Sequence, residues 1–200
     1  RRLLEKPNLQ IVALCRSSSN EEEELPELLL QHAHHCKVVQ VDLTSKESID
    51  NWMQEDVVPQ KIDCCIHTAA ISNPGVCQQD PEAARALNVP KYFIDALFQN
   101  NPSLKFIAFS TDQVYNGQNG GAPHKEESLG VAPCNVYGAT KLELEQYVLQ
   151  QHDSVYMLRS SILLGDVPTL WPAHSTFLHF CKSRTTPTTF WTDEIRSVVD

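Results

Sequence analysis

The chain has 200 residues, of which 42% are hydrophobic, and a net charge of −9, so it is long enough for a domain with a substantial core and too acidic for a nucleic-acid scaffold. No stretch approaches the roughly 20 apolar residues that a bilayer-spanning helix needs. Seven cysteines, an odd number scattered along the chain, are typical of reduced thiols, and these features together predict a cytoplasmic protein that binds neither nucleic acid nor membranes.

Short apolar strands alternate along the chain with helical segments. Strands are predicted at residues 9–15, 37–41, 62–67 and 104–109, and helices are predicted to begin at Thr44, Asp80-Pro81 and Tyr137. Pro81 suits a first helical position, whereas Pro90 is expected to kink the same helix. Alternating strands and helices build a parallel sheet covered on both faces, so the sequence predicts an α/β fold with a doubly wound parallel sheet.

Two of these strands run directly into small or polar residues. Thr68-Ala69-Ala70 follows the strand at 62–67, and Ser110-Thr111-Asp112 follows the strand at 104–109. In an open parallel sheet, ligands bind at the carboxyl ends of the strands. The hydroxyls of Ser110 and Thr111 are therefore candidate ligand-binding groups, whereas the two alanines fit either the close approach of a ligand or tight packing of a loop.

Tyr137 and Lys141 lie four residues apart near the start of a strongly helical segment. At that spacing, both side chains share one helix face. The unperturbed pKa of tyrosine is about 10, and a neighbouring ammonium group favours the phenolate, so we expect Lys141 to lower the pKa of Tyr137. Such a pair is suited to proton transfer, although the same spacing also occurs by chance in helices without this role.

The order of these segments resembles the extended short-chain dehydrogenase/reductase family. The matching segments are Thr68-Ala69-Ala70, Asn88-Val89, Ser110-Thr111-Asp112, Tyr137 to Lys141 and Leu158-Arg159-Ser160-Ser161. The segments Asn135-Val136-Tyr137-Gly138 and Asp193-Glu194-Ile195-Arg196 are most similar to the branch that contains dTDP-4-dehydrorhamnose reductase, to which the regulatory β subunit of methionine adenosyltransferase also belongs. The resemblance implies a Rossmann-like fold.

The resemblance implies catalytic roles for three residues. Tyr137 is expected to protonate the carbonyl oxygen as hydride arrives, and Lys141 to lower the pKa of this tyrosine and hold the nicotinamide ribose. Thr111 is expected to orient the same carbonyl. Substrate-binding roles are implied for Ser110, Asp112 and Arg196. Arg196 would approach the diphosphate of a nucleotide-sugar, and the alternative is an exposed structural arginine.

The resemblance also implies a dinucleotide cofactor. Arg16, directly after the strand at 9–15, would accept the extra phosphate of NADP; NAD is the alternative cofactor, and an ordinary exposed arginine is the other interpretation of Arg16. Asp42 matches the acidic residue that meets the adenine, but it also fits a turn ahead of a capping box formed by Thr44 and Glu47. Cofactor contacts are implied for Arg16, Asp42, Leu43, Ala69, Ala70, Tyr137, Lys141 and Ser160.

One expected feature of this fold is missing from the sequence. A dinucleotide-binding domain of this kind opens with a strand and a glycine-rich turn that meets the pyrophosphate, and residues 1–7 instead resemble the last turns of the following helix. We therefore expect part of a longer polypeptide, truncated at both ends. Its expected organisation is an incomplete Rossmann-like domain at residues 1–164 and the start of a substrate-binding lobe at residues 165–200.

Two functions follow from the resemblance. The first is an NAD(P)-dependent reductase that reduces a keto group on a nucleotide-sugar, with Tyr137 as proton donor. The alternative is a non-catalytic NADP-binding regulatory subunit that binds the catalytic subunit of methionine adenosyltransferase. The presence of Thr111, Tyr137 and Lys141 favours catalysis, whereas Gln113, where the bacterial reductases usually carry an aromatic residue, leaves the sugar open. No metal site is expected, since the histidine-rich run at residues 32–36 lacks a second ligand cluster.

Overall fold

The computed structural model describes residues 8–16, 35–57, 61–117, 124–125, 131–163, 185–187 and 198–199. Its strands are β1 (Ile11–Cys15), β2 (Cys36–Gln40), β3 (Cys64–His67), β4 (Lys105–Thr111), β5 (Val155–Ser160), β6 (Ile162–Leu163) and β7 (Val198–Val199). Its helices are α1 (Lys46–Trp52), α2 (Pro74–Gln79), α3 (Pro81–Asn88), α4 (Lys91–Asn100) and α5 (Val136–Gln151), together with a π-helical turn at Met53–Val57 and a 3₁₀ turn at Asp112–Val114. The chain divides into a first unit, residues 1–49 with 162–198 and 200, and a second unit, residues 50–161 with 199.

The first unit contains a parallel pair of strands. β1 pairs with β2 from Ile11 opposite Cys36 to Cys15 opposite Gln40. The pairing continues one residue further, because the N–H of Val41 donates to the Cys15 carbonyl at 2.8 Å. Both strands lie within two residues of their predicted positions. The predicted boundary at residues 164 and 165 lies outside the described residues, so the domain division stays a prediction.

The second unit contains a three-stranded parallel sheet in the order β3, β4, β5. The sequence of β4 explains its two faces, since Phe106, Ala108 and Ser110 are buried whereas Lys105 and Phe109 are exposed. The parallel pairing confirms the predicted α/β class. Among the described residues, the strands form separate sheets rather than one continuous sheet, and the missing first strand stays a prediction.

The helical segment predicted from Asp80 toward residue 99 consists of two helices. The Asp80 side chain accepts a hydrogen bond from the Ala83 N–H at 3.0 Å, which caps α3 directly before Pro81. Pro90 then stands at the N-cap of α4 and separates it from α3. Proline has no N–H and disfavours helical backbone in the preceding residue, so the expected kink is a full break. No helix in the described part of the chain is long and apolar enough to cross a membrane.

Phe106 of β4 lies at the centre of the core of the second unit. It is fully buried, and its ring centroid lies 5.8 Å from His67 and 6.1 Å from Phe98 of α4. Leu97 of α4 and Leu144 of α5 are also buried, and each such side chain contributes about 1.5–3 kcal/mol by leaving water. Because the three strands are parallel, this packing leaves their carboxyl ends together at one edge.

Candidate active site at the carboxyl edge of the second unit

Thr111 is the last residue of β4 and begins the 3₁₀ turn that follows it. Its Oγ1 accepts a hydrogen bond from the Gln113 N–H at 3.2 Å and donates to Asp112 Oδ1 at 3.2 Å. The other carboxylate oxygen of Asp112 accepts from Ser161 Oγ at 2.7 Å. Asp112, a predicted substrate-binding residue, therefore connects the end of β4 to the residue after β5 with both of its oxygens engaged.

Tyr137 and Lys141 lie in the first turns of α5. Asn135 caps this helix, since its Oδ1 accepts from the Gly138 N–H at 2.8 Å. The four-residue spacing places Lys141 Nζ 6.0 Å from the centroid of the Tyr137 ring. Tyr137 is half-buried, and Lys141 is only 3% exposed. The structure thus brings the proposed phenol and ammonium groups together on the side of α5 that packs into the second unit.

Burial shifts the pKa values of both Tyr137 and Lys141. It lowers the pKa of Lys141 to about 8, against a smaller opposing effect of Cys77, so the ammonium form still predominates at pH 7. Burial also raises the pKa of Tyr137, with further contributions from Cys77 and Asp112, while a hydrogen bond with Thr111 acts in the opposite direction. This direction is opposite to the one that the Tyr-Lys spacing predicts. Desolvation of the phenolate is the largest cause of the raised pKa, and the Lys141 ammonium group does not offset it.

Asn88, at the end of α3, is a further functional candidate. In the sequence it stood out only as part of the Asn88-Val89 motif. Its side chain is fully buried. Its Oδ1 accepts from the Ile71 N–H at 2.7 Å, and its Nδ2 donates to the Ile71 carbonyl at 3.2 Å and to Thr140 Oγ1 at 2.9 Å. Thr140 Oγ1 in turn donates to the Tyr137 carbonyl at 2.8 Å. Asn88 therefore joins the loop after β3 to the helix turn that carries Tyr137. In the sequence, the only indication of this role is a polar side chain at the end of a helix.

The remaining candidates of the second unit lie at the ends of its strands. Ala69 and Ala70 are half-buried in the loop between β3 and Ile71. Ser110 is 5% exposed, and its Oγ has no hydrogen-bond partner among the described residues, which suits a group that meets a ligand. Ser160, by contrast, donates from its Oγ to the Ser161 carbonyl at 3.1 Å.

A second feature that the sequence did not indicate is a cluster around Arg159 of β5. Its Nε and Nη2 donate to the two carboxylate oxygens of Glu145 at 2.9 and 2.6 Å, and its Nη1 donates to the Tyr115 hydroxyl at 2.7 Å. Glu145 is 3% exposed, and its carboxylate raises the pKa of Arg159. The Tyr115 ring also stacks on His124 at 4.3 Å. This cluster holds the segment after the Thr111 turn against α5 and β5.

The cofactor candidates of the first unit are held by local contacts. Asp42 Oδ1 accepts from the Thr44 N–H at 2.8 Å and from Thr44 Oγ1 at 2.6 Å, and these bonds, with a smaller effect of Arg16, lower the pKa of Asp42. The predicted capping box of Thr44 and Glu47 is therefore wrong, because the Thr44 hydroxyl is used by Asp42 and it is Ser45 Oγ that accepts from the Ser48 N–H at 3.3 Å.

The structure describes some of the other predicted residues and not others. Arg16 is exposed directly after β1, and Leu43 is half-buried beside Asp42. Arg196 lies outside the described residues, as do the three serines after Arg16. Within the described ranges, no group of His, Cys, Asp and Glu side chains is arranged to hold a metal ion.

Comparison with known proteins places these features in a family context. The family described as RmlD substrate binding domain matches residues 2–187. Methionine adenosyltransferase 2 subunit beta of Pongo abelii is 34% identical over 134 residues, which is 67% of this chain and 38% of the relative. A probable low-salt glycan biosynthesis reductase of Haloferax volcanii is 31% identical over 130 residues, covering 65% of this chain and 41% of the relative. The chain thus spans about two fifths of the length of these relatives.

A solved structure shows the same fold. The dTDP-4-dehydrorhamnose reductase of Bacillus anthracis, in complex with NADP, superposes with a TM-score of 0.59 at 23% identity, covering 82% of this chain and 57% of that chain. At this identity the likeness concerns the fold alone. Since the family match extends over nearly the whole sequence, the chain belongs to the RmlD-like family of the extended short-chain dehydrogenases/reductases.

Proposed function

We propose that the protein is an NADP-dependent reductase that converts a keto group on a nucleotide-sugar to a hydroxyl group. The observation that carries this proposal is the meeting of three groups at one edge of the sheet: Thr111 at the end of β4, and Tyr137 and Lys141 on α5. Two hydroxyl groups and a buried ammonium group form a site that can bind and protonate a carbonyl oxygen.

The electrostatics of Tyr137 suit the reductive direction. A proton donor must carry its proton at the working pH, and a phenol with the ordinary pKa of about 10 already does so near neutrality. The raised pKa of Tyr137 keeps this proton in place, although it also makes the phenol a weaker acid. NADPH, when bound, supplies the hydride that adds to the carbonyl carbon. Tyr137 gives its hydroxyl proton to the carbonyl oxygen, and Thr111, at the end of β4, orients that oxygen. The two transfers together convert the ketone to an alcohol.

The residues of the site fit a nicotinamide cofactor. Lys141 is almost fully buried, and no carboxylate among the described residues forms an ion pair with it, so its ammonium protons are suited to the hydroxyls of a ribose. Ala69 and Ala70 let a ligand approach the backbone, and Ser160 lies at the end of β5. In the first unit, the Arg16 guanidinium group would donate hydrogen bonds to the NADP phosphate, and Asp42 and Leu43 would lie at the adenine. The Bacillus anthracis reductase complex with NADP supports this choice over NAD.

The substrate class follows from the site and its relatives. Ser110, with its unpartnered buried hydroxyl, and Asp112 lie beside Thr111, and we assign them with Arg196 to substrate binding. The relatives include reductases of dTDP-4-dehydrorhamnose and of glycan biosynthesis, which favours a sugar carried on a nucleotide. The six described cysteines form no disulfide, which fits a cytoplasmic location.

A second function is favoured by a different observation. Methionine adenosyltransferase 2 subunit beta is similar to this chain at 34% identity. On this alternative the protein holds NADP and binds the catalytic subunit of a methionine adenosyltransferase without reducing a sugar. The same buried Lys141 then serves cofactor binding alone.

One experiment separates the two functions. Full-length protein is incubated with NADPH and a 4-keto nucleotide-sugar, and in parallel with a methionine adenosyltransferase catalytic subunit and its substrates. The reductase proposal predicts NADPH oxidation that is proportional to the added sugar and no change in the transferase rate. No oxidation with any sugar tested, together with a higher transferase rate, would favour the regulatory function.

A further inference from the structure

The Thr111 turn and the Tyr137 helix belong to different elements and must be held in register. Thr111 ends β4, and Tyr137 lies in the first turn of α5, 26 residues later. On the proposed function, both hydroxyls act on one carbonyl oxygen. A displacement of about 1 Å between such groups can cost about 100-fold in rate, so the contact between these two elements is under a strict geometric demand.

Gly138 lies where these elements meet. A methyl group built on its Cα would lie well inside contact distance of the Gln113 carbonyl oxygen and 3.0 Å from both the Gln113 carbonyl carbon and Pro133 Cβ. The atoms of Gln113 belong to the backbone and cannot rotate away as a flexible side chain can. Gly138 has ordinary helical backbone, so its absence of a side chain serves the approach of α5 to the 3₁₀ turn and not a special conformation.

Asn135 makes a second connection between the same elements. Its Oδ1 accepts from the Gly138 N–H at 2.8 Å, and its Nδ2 donates to Gln113 Oε1 at 2.8 Å. Gln113 is itself tied to Thr111, because its N–H donates to Thr111 Oγ1 at 3.2 Å. One continuous chain of contacts thus runs from the Thr111 hydroxyl through Gln113 and Asn135 to the residue after Tyr137.

We propose that Gly138 and Gln113 are positioning residues that set the spacing between the Thr111 and Tyr137 hydroxyls. Gly138 fixes how closely α5 approaches the 3₁₀ turn, and the Gln113–Asn135 hydrogen bond fixes the lateral register. The kinetic part of this inference rests on the proposed reductase function, whereas its geometric part does not. It also assigns a structural use to Gln113, the position at which the chain departs from the aromatic residue of bacterial reductases.

The test uses Gly138→Ala in the full-length protein, with Ala139→Gly as the matched control. Ala139 is exposed on the same helix turn, so its replacement changes helix propensity without touching the Gln113 contact. We expect Gly138→Ala to lower kcat by about 100-fold while KM for NADPH changes by no more than about threefold. A wild-type kcat in Gly138→Ala would overturn the proposal.

A second readout does not depend on turnover. The titration of Tyr137 is followed by NMR with ¹³Cζ-labelled tyrosine, and its resonance is identified by its loss in Tyr137→Phe. Burial raises the pKa of Tyr137 and Thr111 lowers it, so a change in the spacing between α5 and the 3₁₀ turn in Gly138→Ala should shift the titration midpoint, whereas Ala139→Gly should leave it in place. If the wild type reduces no sugar, this shift still decides whether the contact positions the two hydroxyls, and the reductase function fails separately.

Gln113 variants keep the proposal testable if Gly138→Ala does not fold. Gln113→Leu removes the acceptor for Asn135 Nδ2, and Gln113→Glu retains one. We expect the Tyr137 midpoint to shift in Gln113→Leu and to return toward the wild-type value in Gln113→Glu. Identical midpoints in all three proteins would contradict the role of Gln113.

Discussion

The two groups of candidate residues differ in what holds them. In the first unit, Arg16 is exposed and Asp42 is fixed by hydrogen bonds from Thr44, two residues away. In the second unit, Lys141 is buried, and the helix turn that carries Tyr137 is fastened by Asn88 across a separation of 52 residues. Hydrogen bonds from Thr44 lower the pKa of the Asp42 carboxyl group, whereas burial raises the pKa of the Tyr137 phenol and lowers the pKa of the Lys141 ammonium group. Substitutions in the second unit should therefore have the larger and more coupled effects.

The largest effect is expected for Tyr137→Phe. If the phenol donates the proton, its loss should lower turnover of a 4-keto nucleotide-sugar by about two to four orders of magnitude and leave NADPH binding nearly unchanged. Tyr147→Phe is the matched control, because Tyr147 lies on the same helix and donates instead to Asp95. Steady-state kinetics of both variants give the answer, and similar turnover in the two would remove Tyr137 from the mechanism.

Replacement of Asn88 by alanine should have the next largest effect. It removes the acceptor of the Ile71 N–H, whereas the Ile71 carbonyl and the Thr140 hydroxyl keep their bonds with Cys77 Sγ and the Tyr137 carbonyl. We expect a cost of about 1–3 kcal/mol in the free energy of unfolding. Asn101→Ala is a control of similar burial, since Asn101 bonds to Ile62 and Ser103 away from the site. Urea unfolding and NADPH titration of both variants should show destabilisation in both and weaker cofactor binding in Asn88→Ala alone.

An intermediate effect is expected for Arg16→Ala, and it should be confined to one cofactor. A charge-assisted contact with the extra phosphate is worth about 1.5–3 kcal/mol, so the dissociation constant of NADPH should rise about 10- to 100-fold with little change for NADH. Arg85→Ala serves as the control, because Arg85 is an exposed residue of the second unit that pairs with Glu143. Equal losses of NADPH and NADH affinity would show that Arg16 does not bind the phosphate.

The smallest effect is a gain in stability for Lys141→Met. Below pH 8 the folded protein carries the buried charge of Lys141, which lowers the free energy of unfolding. This destabilisation disappears as the pH rises from about 8, the pKa of Lys141 in the folded chain, to about 10.5, its ordinary value. The variant should be more stable by about 1–2 kcal/mol at pH 7, and the difference should shrink above pH 8. Thermal unfolding from pH 6 to 10 measures this, and a variant that is less stable at pH 7 would contradict the account.

The sequence predicted the features that depend on local pattern. Alternating apolar runs indicated the parallel strands, and the four-residue spacing brought Tyr137 and Lys141 to one helix face. It could not predict the direction of the Tyr137 pKa shift, since burial depends on packing between distant segments. The contacts of Asn88 and the ion pair of Arg159 with Glu145 were missed for the same reason. The capping role predicted for Thr44 was wrong, since Thr44 Oγ1 donates to Asp42 and Ser45 Oγ accepts from the Ser48 N–H. Which of two neighbouring hydroxyls caps the helix depends on the turn geometry.

Transfer of the hydride itself distinguishes a reductase from a protein that only binds NADPH. Full-length protein, in molar excess over a 4-keto nucleotide-sugar, is mixed with NADPH deuterated at C4 of the nicotinamide, and the product is analysed by mass spectrometry and NMR. A reductase with Tyr137 as its proton donor should place one deuterium on the new carbinol carbon in the wild type and should transfer it at least about 100-fold more slowly in Tyr137→Phe. NADPH that binds to the wild type and remains unoxidised with every such sugar would contradict the reductase function.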